Sequence, residues 1–166
     1  MKYKHIVFDI DGTLIDTEYA VLHSLQETMR ALSGREIPCS ELKFALGITG
    51  IDALKKLEIK DISYAIELWD KNMCKYADTM KVFDGITGLL KNLLSLDYEI
   101  GIVTSKTREE FAHDFCQSGI SHYFKTIICA ENTGIDFALA VWGSHSKHIK
   151  ADYFLERPAD LLSAIT

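Results

Sequence analysis

The chain has 166 residues, 48% hydrophobic and 25% charged, which suits one globular domain with a small insertion and enough apolar side chains for a core. Its net charge of −6, without any basic cluster, argues against nucleic-acid binding, which needs lysine and arginine to neutralise phosphates. No stretch approaches the length of a membrane span, and Ile6 to Phe8 is too short an apolar run for a signal peptide. Four scattered cysteines, Cys39, Cys74, Cys116 and Cys129, lack CxxC spacing and read as reduced, mostly buried thiols of a cytoplasmic protein.

In chain order, Ile6-Val7-Phe8 reads as a short buried strand that runs into Asp9, Asp11 and Gly12. Residues i and i+2 of a strand point the same way. Asp9 and Asp11 are therefore expected to project together from its C-terminal end, where open parallel sheets bind ligands. Two carboxylates so close repel each other, and a bound cation relieves the conflict; oxygen donors suit Mg²⁺. A plain turn is the bland alternative. A calcium loop counted from Asp9 fails, because its glycine position falls on Leu14 and its last acidic position on Ala20.

Asp16 to Leu32 is expected to be a helix capped by Asp16, with Val21, Leu22, Leu25, Met29 and Leu32 on one face. Ser33-Gly34 ends it. Ser40 can cap a short helix to Leu46, and Asp52 to Leu57 suggests another. Asp61 to Ala77 is amphipathic through Ile62, Ile66, Trp69, Met73 and Tyr76. Residues 17–80 thus read as all-helical. His23 has a surface or packing role. A helix from Asp84 to Ser95 and a strand from Tyr98 to Thr104 follow. Then comes a helix capped by Thr107 with Glu110 completing a capping box, in which Phe111 and Phe115 lie one turn apart. Lys125 to Ala130, Phe137 to Val141 and Asp152 to Leu155 are apolar strands, and Pro158 opens a last helix to Ile165.

The order strand, helical insert, helix, strand, helix, strand implies an α/β protein. Its expected form is a Rossmann-like, mostly parallel sheet core, residues 1–16 plus 82–166, with an inserted all-helical cap, residues 17–81.

The string Val7-Phe8-Asp9-Ile10-Asp11-Gly12-Thr13-Leu14, continued by Ile15-Asp16-Thr17, resembles the first motif of the haloacid dehalogenase superfamily. Nearly the whole chain resembles its helical-cap members, the phosphoglycolate phosphatase-like group above all. The resemblance implies a Mg²⁺-dependent phosphatase acting on a small phosphorylated metabolite, as a monomer or weak homodimer. It makes Asp9 the nucleophile and Asp11 the acid and base. Mg²⁺ would bind the Asp9 carboxylate and the Asp11 carbonyl. Gly12 would turn the backbone against the ligand, and N–H groups around it, Thr13 included, would hold phosphate oxygens. Thr104 matches the second motif, a hydroxyl residue ending the second strand, with Ser105 and Lys106 beside it as phosphate contacts. Asp16 would help set the hinge to the cap, which covers the site and selects the substrate.

Two further motifs of that superfamily are missing: a lysine, usually before proline, and Gly-Asp with another Asp nearby on a fourth strand. After Glu131-Asn132-Thr133 the chain passes directly to Gly134-Ile135-Asp136-Phe137, which points to an internal loss at Thr133/Gly134. Residues 131–136 are too few for a right-handed parallel crossover. A hairpin placing 135–141 antiparallel to 126–130 is the alternative to a missing segment. Lys106, Glu131 and Asp136 are weak substitutes for the lost groups. A β-phosphoglucomutase-like phosphotransferase, and a truncated member that binds metal and phosphate without turnover, stay open beside the phosphatase reading.

Overall fold

The computed structural model describes residues 3–104, 111, 115–128, 138–140 and 153–165. In chain order the elements are β1 (His5–Phe8) and β2 (Ile15–Asp16); α1 (Glu18–Ser33), α2 (Cys39–Leu42), α3 (Gly50–Lys56) and α4 (Ile62–Met73); then β3 (Lys81–Val82), α5 (Ile86–Ser95), β4 (Glu99–Val103), β5 (Thr126–Ile128), β6 (Ala138–Ala140), β7 (Tyr153–Leu155) and α6 (Asp160–Ile165). The chain divides into two compact units, Met1–Asp16 with Val82–Thr166, and Thr17–Lys81. Among the described residues no helix is long and apolar enough to cross a membrane.

The first unit is built on a parallel sheet in the order β1, β4, β5. Phe8 lies opposite Ile102, and Ile102 opposite Ile127. β4, at the centre, buries Ile100, Gly101 and Ile102, as a central parallel strand does. Gly101 has a steric reason to be glycine: a Cβ there would stand 3.1 Å from the Thr126 carbonyl oxygen. α5 buries Ile86, Leu89, Leu90 and Leu93, the spacing of one helical face. Beyond β4, the rings of Phe111 and Phe115 have centroids 5.0 Å apart. Phe115 meets Phe124, and Phe124 meets Phe8 edge-on at 6.1 Å. This chain of rings ties the end of β1 to the segment before β5.

The last strands depart from the hairpin expectation. β6 pairs parallel with β7, Ala138 opposite Tyr153 and Ala140 opposite Leu155, rather than antiparallel with β5. A three-residue apolar strand carries the same period-2 pattern whichever partner or direction it takes, so its sequence cannot select either. The Tyr3 and Tyr153 hydroxyls lie 3.1 Å apart, which fastens β7 to the chain just before β1.

In the second unit, residues 17–80 form helices and turns without a strand. Leu22, Leu25 and Met29 of α1 pack with Ala53 and Leu54 of α3 and Ala65 and Trp69 of α4, and Val21 and Leu32 flank this core. Two buried polar pairs lock α1 to α4. Trp69 Nε1 donates to Ser24 Oγ at 2.8 Å, and Asn72 Nδ2 donates to Thr28 Oγ1 at 2.9 Å. Each hydroxyl spends its hydrogen on its own helix, Ser24 on the Val21 carbonyl and Thr28 on the Ser24 carbonyl. The lone pairs are thereby left for α4. Nearer the surface, Glu27 accepts from Lys75 Nζ at 2.6 Å and from the Tyr76 hydroxyl at 2.8 Å. Lys75 first, then Tyr76, hold its carboxyl below the usual range, and the same bond pushes the Tyr76 hydroxyl up.

Several helix ends differ from the sequence expectation. Thr17, not Asp16, occupies the N-cap of α1, and no side chain caps it; Asp16 is drawn into β2 instead. Ser40 lies inside α2, which starts after Pro38. α6 begins at Asp160, whose carboxylate accepts from the Arg157 N–H and from Arg157 Nη2; Pro158 sits in the turn before it. Cys39 is half-buried, but Cys74 is exposed, its thiol donating to the Asp70 carbonyl at 3.3 Å, so Cys74 departs from the buried expectation. The Thr107 and Glu110 capping box lies outside the described residues.

Thr28→Val should leave the Asn72 amide buried without its acceptor, lowering stability by about 1–3 kcal/mol. Urea denaturation followed by Trp69 fluorescence measures this, and adding Asn72→Leu should recover part of the loss. Glu27 makes a pH-dependent contribution. Because its folded pKa is depressed, its stabilisation is present above the unfolded value of 4.5 and is lost as pH falls through the lower folded value. Denaturation midpoints should therefore fall more steeply below pH 4.5 in the native chain than in Glu27→Gln.

Candidate active site

The site is built at the carboxyl ends of β1 and β4. The two strands run parallel with Phe8 beside Ile102, so Asp9 and Thr104 leave the sheet at the same end. β1 stops at Phe8, and the chain bends at Ile10 instead of continuing as a strand. Asp9 is exposed, while Asp11 is half-buried with its Oδ1 enclosed. Thr104 is buried. Ser105 and Lys106, and the candidate substitutes Glu131 and Asp136, lie outside the described residues.

The loop after Asp9 is closed by its own backbone. The Ile10 carbonyl accepts from the N–H groups of Thr13 at 3.2 Å, Leu14 at 2.9 Å and Ile15 at 3.0 Å, and the Gly12 N–H donates to the Ile15 carbonyl at 2.9 Å. Asp11 and Ile15 form an isolated parallel bridge across the loop. Gly12 adopts φ 71°, a left-handed conformation that glycine reaches without a Cβ penalty. The N–H groups of residues 12–15 close the loop on itself.

Two contributors escaped sequence reasoning. The Ile10 side chain is fully buried and anchors the bend, although between two aspartates it reads only as a continued strand. The Phe83 N–H donates to the Leu14 carbonyl at 3.1 Å, pinning the loop to a residue far along the chain, and no local signal could have found that bond.

As a donor set, two carboxylates and loop carbonyls are hard oxygen ligands, which fits Mg²⁺ in kind. Among the described residues no group of three His, Cys, Asp or Glu side chains is placed to hold a metal.

Gly12→Ala should strain the loop by about 1–2 kcal/mol, the penalty of a Cβ in left-handed backbone. The denaturation midpoint reports the strain. Gly12→Asn, which tolerates that region better, should lose less.

A family profile for haloacid dehalogenase-like hydrolases matches residues 6–136. The chain is 31% identical over 131 residues to a candidate pyrophosphatase PpaX from Clostridium perfringens, covering 78% of this chain and 61% of that protein. It is 27% identical over 161 residues to the pyrophosphatase PpaX of Oceanobacillus iheyensis, covering 89% and 73%. It thus spans only about three-fifths of the length of several curated relatives it matches, 61% and 62% in two cases. Among solved structures, a candidate phosphoglycolate phosphatase from Lactobacillus plantarum superposes with a TM-score of 0.86 at 22% identity, covering 98% of this chain and 99% of that one. That likeness shows the same α/β fold. With its Asp9-Ile10-Asp11-Gly12-Thr13 loop at the carboxyl end of β1 and a profile match over most of its length, the chain belongs to the haloacid dehalogenase-like hydrolase family.

Proposed function

We propose that this chain is a Mg²⁺-dependent phosphatase that hydrolyses a small phosphomonoester through an aspartyl-phosphate at Asp9. The observation that carries the reading is the adjacency of Asp9 and Thr104 at the carboxyl ends of two paired parallel strands, with Asp11 half-buried in the loop that follows. Residues 17–81 have the role of a substrate-selecting helical insert.

An Asp9 carboxylate oxygen attacks phosphorus, and the bond from phosphorus to the ester oxygen breaks. Asp11 gives its proton to the leaving alkoxide. It then takes a proton from the water that attacks the phosphorylated Asp9, which releases inorganic phosphate and restores both carboxyl groups. The Thr104 hydroxyl donates to a phosphate oxygen and orients the group for attack. The Asp9 carboxylate and the Asp11 carbonyl would hold Mg²⁺, which would supply positive charge against the nucleophile and the phosphate. Two relatives carry the name pyrophosphatase, which makes inorganic pyrophosphate the second substrate to assay.

With an aryl phosphate and Mg²⁺, Asp9→Asn should abolish turnover, because an amide cannot act as the nucleophile. Full activity in that variant would refute the assignment. Asp11→Asn should slow poor leaving groups most, since these need the proton; an equal loss across leaving groups would count against the acid role.

The sequence lacks the superfamily's lysine and its fourth-strand carboxylates. Losing one carboxylate ligand weakens metal binding by roughly 1–3 kcal/mol, and losing a cationic donor to the transition state lowers the rate on the order of 10²–10³-fold. Calorimetric titration should therefore give a Mg²⁺ Kd of about 1 mM, with turnover well below the ordinary ~10 s⁻¹. Micromolar binding with ordinary turnover would show that another residue replaces the lost groups, with Lys106 and Glu131 the first candidates. Phosphate binding without any turnover would favour the impaired, binding-only reading.

A further inference from the structure

We draw no further inference here: the strongest candidate, the surface cluster of Tyr19 and His23 rings on α1 with Tyr76 in the turn after α4, is an aromatic face for which nothing in the structure shows what covers it.

Discussion

The Ile10 carbonyl oxygen accepts from three successive N–H groups, those of Thr13, Leu14 and Ile15, and the candidate site depends on that convergence. A carbonyl has two lone-pair directions, so three donors crowding one oxygen force the chain to fold back sharply behind Asp11. The reversal is possible because Gly12 takes a left-handed conformation, and it is anchored because the Ile10 side chain is wholly buried. The loop therefore holds its shape through bonds of its own. The N–H groups of residues 12–15 thus serve to hold the shape of the loop.

The same loop explains how the chain accommodates a large insertion. Parallel strands β1 and β4 need a crossover of a dozen or more residues, and here that connection contains a complete helical unit with its own core. β2 and β3, where the chain leaves and returns, pair with each other, and the Phe83 N–H bonds back to the Leu14 carbonyl. Both crossings are thus tied to the loop that bears Asp11. Within the helical unit, stability does not rest on apolar burial alone. Ser24 and Thr28 each turn a hydroxyl hydrogen onto their own helix and accept from Trp69 and Asn72 of the other. Satisfied polar pairs of this sort fix one alignment of two helices, because sliding either helix would strand buried donors.

Much of this protein was legible from residue order alone. The helical periods of α1, α4 and α5 and the apolar runs of β1, β4 and β5 are local patterns, and local patterns report which face of an element is buried. The string from Val7 to Leu14 placed the candidate chemistry at the end of the first strand, because the spacing of two carboxylates before a glycine is itself a local feature. Tertiary structure alone decided the rest. Thr17 took the N-cap position because Asp16 was drawn into pairing with a strand that arrives much later in the chain. β6 joined β7 in parallel although its three apolar residues suit any partner. The buried pairs between α1 and α4 join residues 44 and 45 positions apart. In each case the deciding contact is made by groups far apart in sequence, and its free energy depends on where the whole chain brings them, a quantity that no short window of residues encodes.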